Sequence, residues 1–220
     1  MAFSVLMPVY HADNAEHFTR ALRSVTADQQ LRPDHLVIVR DGPVPPDLTA
    51  VLDAARAGSA TAGVPTTVVP IAVNSGLARA LTLGLQACPH EIVARADADD
   101  ISLPARFATQ VPLVAGDAAG GHGPGLDLLG SAIAEFTDDE QAPGLIRRYP
   151  TGAAAIARAA RFRDPINHPT VVYRKQAVAR AGGYLELAKM EDYWLFARMI
   201  QSGARMANLP EPLVLYRVGA

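Results

Sequence analysis

Glu91-Ile92-Val93-Ala94-Arg95-Ala96-Asp97-Ala98-Asp99-Asp100 is the stretch whose reading decides the fold. Glu91 to Ala96 reads as a short apolar strand, and it runs straight into three carboxylates. Charges of one sign this close repel unless something positive sits among them. A hard cation such as Mn²⁺ or Mg²⁺ solves the problem, because it takes oxygen ligands and keeps positions open for substrate phosphates. The plainer alternative is a solvated turn in which Asp100 or Ser102 starts the helix announced by Pro104. Placement directly after an apolar strand favours the metal or phosphate reading for Asp97 and Asp99, and leaves Asp100 as the helix cap.

Outward from this stretch the same pattern recurs, an apolar run followed by a polar turn. Phe3 to Val9 ends at Pro8-Val9-Tyr10, His35 to Val39 at Arg40-Asp41-Gly42-Pro43, and Thr66 to Ile71 just before Asn74-Ser75-Gly76. Helical periodicity fills the gaps. Phe18, Ala21, Leu22 and Val25 share one face, behind Asp13 and Glu16 at capping-box spacing. Leu48 to Ala57 is a second helix, and Leu77, Leu81, Leu85 and Cys88 mark a third. Such alternation predicts an α/β fold with a mainly parallel central sheet flanked by helices on both faces. Ligands of such sheets bind at the carboxyl ends of the strands, where Tyr10, Asp41, Asn74 and Asp97 all fall.

The second half is less regular. A helix carries Phe107, Val111 and Val114, and a glycine-rich connection spans Gly116 to Gly125. Strands are expected at Leu126–Phe136, Thr170–Tyr173 and Leu213–Arg217. Helices are expected at Ala153–Phe162, Ala177–Ala181 and Met190–Gln201. Glu191-Asp192 sits in the first turn of the last helix, where the dipole favours carboxylates whatever their role. The functional reading makes Asp192 a general base. The helix end lowers its pKa, while burial beside Trp194 and the charge of Glu191 raise it, and the sequence leaves that balance open. Other candidates each carry two readings. Asp41 accepts from a nucleobase or shapes its turn. His168 touches phosphate or acceptor, or is structural. Arg79 and Arg95 reach a diphosphate or lie on solvated faces. Tyr10 stacks near a base or packs at the core edge.

The bulk numbers exclude some classes. The chain has 220 residues, half of them apolar, and a formal net charge of −2. No basic block exists to serve nucleic acid as a main partner. The single cysteine, Cys88, allows no internal disulfide, suits a reducing compartment and reads as core. The amino terminus lacks the pattern of a signal peptide, and no run reaches the ~20 apolar residues of a membrane span, which leaves peripheral membrane contact open.

Taken in order, these segments resemble the family 2 inverting glycosyltransferases of the GT-A fold. Val5-Leu6-Met7-Pro8-Val9-Tyr10 is similar to the first nucleotide-binding strand and turn, with Pro8 and Tyr10 at the nucleotide. Val37 to Gly42 is similar to the second. The family usually has two acidic residues there; Arg40 stands in the first place, so only Asp41 carries over. Asn74 to Ala80, with Asn74 and Arg79, resembles the segment that reaches towards the nucleotide. Asp97-Ala98-Asp99 matches the DxD metal motif. Glu191-Asp192 matches the pair whose Asp is the catalytic base, and His168-Pro169-Thr170 resembles a segment near the donor phosphates.

The resemblance implies one GT-A-like domain over residues 1–220, with 1–100 as the nucleotide-sugar-binding half and 101–220 as the acceptor-binding half, which includes a small acceptor-side subdomain. It implies Mn²⁺- or Mg²⁺-dependent inverting transfer from a nucleotide-diphosphate sugar, UDP favoured. The acceptor would be a saccharide, lipid-linked or other hydroxyl, in polysaccharide or glycoconjugate synthesis. The expected place is the cytoplasm, at the inner face of the membrane. Two departures, Arg40 and an end soon after Leu215-Tyr216-Arg217, make the alternative a catalytically inactive nucleotide-sugar-binding scaffold, or an enzyme that needs a further piece. A nucleotidyltransferase would carry a Gly-rich loop with Arg and Lys where Pro8 to Asp13 stand. A DxD phosphatase would have its motif after the first strand.

Overall fold

In a computed structural model, residues 1–116, 125–187 and 189–219 are described. The interior of the glycine-rich connection expected between Gly116 and Gly125 lies outside them. The first half runs β1 (Phe3–Tyr10), α1 (Ala15–Val25), β2 (His35–Asp41), α2 (Pro46–Arg56), β3 (Thr66–Ile71), α3 (Leu77–Ala87), β4 (Ile92–Arg95). The second half runs β5 (Ile101–Ser102), α4 (Arg106–Ala115), β6 (Leu128–Phe136), β7 (Ile146–Arg147), α5 (Ala153–Ala159), β8 (Val172–Arg174), α6 (Lys175–Arg180), α7 (Glu191–Gln201), β9 (Met206–Arg217).

All strands join one sheet in the order β3-β2-β1-β4-β8-β6-β9-β5, with β7 paired to β6. β3, β2, β1 and β4 are mutually parallel. β8 is antiparallel to both β4 and β6, and β9 returns parallel to β6. Alternation along β1 builds two cores. Phe3, Val5, Met7 and Val9 face Phe18, Leu22, Leu48, Leu52, Phe107 and Val111 of α1, α2 and α4. Leu6, with Val37 and Val39 of β2, faces Leu81, Ile156, Val178, Leu195 and Met199 of α3, α5, α6 and α7. Helix α3 lies so close to the sheet that a Cβ on Gly84 would strike Leu6 and Val39. Cys88 is core as expected, and burial pushes its thiol up to about 12, which leaves it unreactive.

Some local expectations are corrected. Asp13 does not cap α1. Asn14 Oδ1 accepts from the N–H groups of Glu16 and His17 at 2.8 and 3.1 Å, while Asp13 accepts from Tyr10 N at 2.8 Å. Asp100 does not cap α4 either, since Ala105 is the N-cap residue of that helix and no side chain caps it. Residues His168–Thr170 wind into a 3₁₀ turn, so the strand expected from Thr170 is only Val172–Arg174. β9 begins at Met206, well before Leu213. Pro210 and Pro212 hide its first part from pattern reading, and the pairing with β6 shifts register around Ser131–Ile133.

Candidate active site

A cavity of about 390 Å³ opens at the carboxyl ends of β1, β2 and β4. Strand order reverses there, because β1 is followed in space by β2 on one side and β4 on the other. Seven of the expected residues line it, Pro8, Tyr10, Asp41, Asn74, Arg95, Asp97 and Asp99, joined by Asp13. Tyr10 is exposed and meets His11 edge to face.

Asp41 closes β2 and organises its neighbour. Its two carboxylate oxygens accept from Ser75 N at 2.7 Å and Gly76 N at 2.9 Å, fixing the loop that starts α3. Each oxygen keeps a further lone pair for a ligand. The approach is close, with Gly42 at φ +84°, and a Cβ there would sit 2.7 Å from Asn74 N. Only glycine fits.

Asp97 is held by a fork. Arg95 Nη1 donates to Asp97 Oδ2 at 2.6 Å, and Nη2 meets Oδ1. Burial pushes the Asp97 carboxyl up and the Arg95 charge pulls it back. Asp99 has no such tether among the described residues; its main-chain oxygen accepts from Arg217 Nε at 3.1 Å. Asp100 is buried and accepts from Arg217 N at 2.9 Å. Burial first, then the charges of Asp97 and Asp99, hold Asp100 well above the usual carboxylate range. Asp13 is likewise pushed to about 6, chiefly by burial and then by the charges of Asp99 and Asp97. The cleft thus sets the carboxylates of Asp13, Asp97 and Asp99 against one guanidinium.

Among the described residues no three His, Cys, Asp or Glu side chains form a ready-made metal cage. The donor set still fits a hard divalent ion. Such an ion is bound through one or two carboxylates and completes its shell with water and substrate phosphates.

Behind the acidic turn lies Arg106, which no sequence motif singled out. It is 0% exposed. Nη2 donates to Arg95 O at 2.6 Å, Nη1 to Ser102 Oγ at 2.8 Å and Nε to Gln110 Oε1 at 3.3 Å. Gln110 in turn donates to Leu129 O and Thr170 O. Burial and the nearby Arg95 charge pull the Arg106 guanidinium down to about 9, so it stays charged at neutral pH. The available signal was its position, on the apolar face of α4 beside Phe107 and one turn before Gln110.

The remaining candidates do not line the cleft. His168 is 5% exposed; its Nε2 meets Tyr184 Oη at 2.9 Å and its Nδ1 lies 3.6 Å from Asp192 Oδ2. Burial, with Arg95 nearby, holds His168 well below its usual pKa, so the ring is neutral and the contact is no ion pair. Asp192 Oδ1 accepts from Tyr193 N at 2.7 Å. Arg95 links the two groups, gripping Asp97 on the cleft side and acting electrostatically on His168 and Tyr184. Trp194 is not a burying wall for Asp192; it is 41% exposed, with the Arg198 guanidinium over its ring. Glu191 is half-buried and does not line the cleft. Arg79 is exposed on α3 and also stands off the cleft.

Asp164 was missed, because Asp164-Pro165 reads only as a turn. It accepts from Ile166 N at 3.1 Å. Burial, then the charge of Asp192, raises it to about 7. Between its ordinary value and about 7 the folded chain binds a proton that the unfolded chain has lost, so this group's contribution to stability falls as pH rises through that window. Asp164→Asn, neutral at every pH, is therefore expected to raise the melting temperature at pH 8 by roughly 4–8 °C after allowance for partial solvent screening, and by much less at pH 4. An equal shift at both pH values would refute the coupling.

This sheet and its acidic cleft define an α/β domain of the GT-A type. The chain belongs to glycosyl transferase family 2: the model of that family matches residues 4–179. It is 38% identical over 218 residues to the amylovoran biosynthesis glycosyltransferase AmsE of Erwinia amylovora, across 99% of this chain and 77% of that one. It is 32% identical over 214 residues to the UDP-Gal:alpha-D-GlcNAc-diphosphoundecaprenol beta-1,3-galactosyltransferase of Escherichia coli, across 96% and 72%. The mannosyltransferase PcManGT from Pyrobaculum calidifontis, solved with GDP-Man and Mn²⁺, shares the fold with a TM-score of 0.72 at 17% identity, across 99% of this chain and 57% of that one. The chain spans 37 to 61% of the length of five solved chains of like fold. Among the described residues no helix is long and apolar enough to cross a membrane.

Proposed function

We propose that the chain is a metal-dependent inverting glycosyltransferase of polysaccharide or glycoconjugate synthesis. It takes a sugar from a nucleotide-diphosphate donor, UDP favoured, and places it on an acceptor hydroxyl, of a lipid-linked saccharide by preference. One observation carries this reading. An acidic cleft is lined by Asp97 and Asp99, and Arg95, which grips Asp97 there, also acts on the buried neutral imidazole of His168, against which the Asp192 carboxylate is set. The cavity of about 390 Å³ is of a size for a nucleotide-like ligand. The name of the Escherichia coli relative supports the choice of UDP and of a lipid-linked acceptor. Such a reaction belongs at the inner face of the membrane.

In direct displacement at the anomeric carbon the sugar becomes oxocarbenium-like and negative charge grows on the leaving diphosphate. A Mn²⁺ or Mg²⁺ held by Asp99 and Asp97, when bound, supplies Lewis-acid neutralisation of that charge. Arg95 keeps the Asp97 carboxylate aimed. Tyr10, Asp41 and Asn74 hold the nucleoside end. Asp192 takes the proton of the attacking hydroxyl at Oδ2, its Oδ1 being occupied by Tyr193 N. Because His168 is neutral, it orients this carboxylate without cancelling its charge. Attack from the face opposite the diphosphate inverts the centre.

Asp99→Ala is expected to weaken UDP-sugar binding at least about tenfold in the presence of Mn²⁺ and to leave the metal-free affinity unchanged. Calorimetric titration with and without Mn²⁺ reads this, and wild-type affinity in the variant would remove the metal role. Hydrolysis or transfer of a UDP-sugar with Mn²⁺ separates the enzyme from a scaffold that binds donor and turns nothing over.

A further inference from the structure

The acceptor side carries a surface that the transfer reaction does not use. Phe162 is 84% exposed, and Leu185, Leu187, Met190 and Trp194 are 41 to 46% exposed. They sit around the first turn of α7, the turn that also bears Asp192. The surface is braced. Tyr193 Oη donates to Ala160 O at 2.7 Å, tying the turn with Phe162 to α7. Arg198 stacks on Trp194 and donates to Ala181 O and, at 2.6 Å, to Gly183 O, tying the 181–190 segment to the same helix. Met190 N bonds to Leu187 O, and Trp194 N to Met190 O.

The whole sequence carries −2, yet Arg158, Arg161 and Arg163 fall within six residues around Phe162. All three are exposed, and among the described residues none has an ion-pair partner. Lys189 is exposed beside Met190, set against Glu186 and Glu191. Solvent-facing aromatic and aliphatic side chains rimmed by arginine match an interface of anionic headgroups over hydrocarbon. Three exposed arginines crowd one bare phenyl ring, while the acidic groups Asp164 and Asp192 of this side are half-buried.

We propose that this surface docks on an anionic lipid bilayer, with Phe162 and Trp194 inserted at the headgroup level and Arg158, Arg161 and Arg163 against the phosphates. Docking turns the Asp192 end of the molecule to the membrane, where the hydroxyl of a lipid-anchored acceptor lies. That last point rests on the transfer reading above; the docking does not.

The test is co-sedimentation with vesicles of phosphatidylcholine alone and with 30% phosphatidylglycerol as the probe composition, a charge density on the order found effective for basic surfaces. Wild type is expected to bind the anionic vesicles and to be released by high salt. The triple reversal Arg158→Glu, Arg161→Glu, Arg163→Glu is expected to weaken binding at least about 100-fold, from about fivefold for each of the three cations lost. Phe162→Asp is expected to weaken it about tenfold. Equal binding to both vesicle types, no binding, or wild-type binding by the reversal variant would each overturn the proposal. A concentration-dependent dimer abolished by Phe162→Asp would assign the face to a second copy instead. Donor affinity with Mn²⁺, measured on the same variants, is expected to stay at the wild-type value. Docking can therefore fail while the donor site stands, and the reverse.

Discussion

Asp192→Asn is expected to lower kcat by roughly 10²–10⁴-fold while donor affinity stays within about twofold of wild type. The substitution keeps the acceptor for Tyr193 N and the volume beside His168, so the fold has no reason to change. What disappears is the site that receives the acceptor's proton. Direct measurement of transfer at saturating donor, together with calorimetry for donor binding, separates these two quantities. Turnover at the wild-type rate would reject Asp192 as the base. A matched loss of donor affinity would instead make it part of the donor cleft, which the structure does not place around it.

The second large effect is on stability. Arg106→Ala is expected to cost about 3–5 kcal/mol, seen as a fall in melting temperature of roughly 6–15 °C. Three acceptors lose their donor at once: Arg95 O, Ser102 Oγ and Gln110 Oε1. A cavity opens between α4 and β4, with no solvent to fill it on the apolar side. Arg106→Lys is expected to fall between, since an ammonium keeps the charge and cannot span the same fork. Thermal unfolding of the three proteins at pH 7 checks the order. A shift below about 2 °C for the alanine variant would mean that the buried charge is dispensable.

The parts of this molecule that could be read from sequence are those whose cause is local. The unbroken apolar runs of β1 and β2 are set by burial on both faces, and Leu36-Val37-Ile38-Val39 shows this in the sequence itself. Carboxylates just beyond such runs, Asp41 and Asp97, come together because parallel strands bring their ends to one edge. The rest depends on partners far along the chain. Asp100 reads as a helix cap from its neighbours, yet its partner is Arg217. His168 reads from sequence as a phosphate or acceptor contact or as structural, and only the fold shows its ring buried against Tyr184, with Asp192 at 3.6 Å. Arginine is usually a surface residue, so the buried Arg106 gave no warning beyond its place on an apolar face. Asp164 and Asp192 lie far apart in sequence, and only folding makes their charges meet. The early residues of β9 were obscured by prolines that sit at its irregular pairing with β6.

One clamp has a practical consequence. Arg217 stacks over Phe136 at 4.4 Å, donates from Nη1 to Thr137 O at 2.7 Å, and holds Asp99 O and Asp100 Oδ1 through its Nε and main-chain N–H. The final strand is in this way a tie-rod for the acidic turn. Strain applied near residue 217, by a fused tag or an immobilising linker, is expected to reach the acidic turn some 118 positions upstream in sequence, and with it the proposed cation site. Assays on this chain are therefore best anchored through its amino-terminal side.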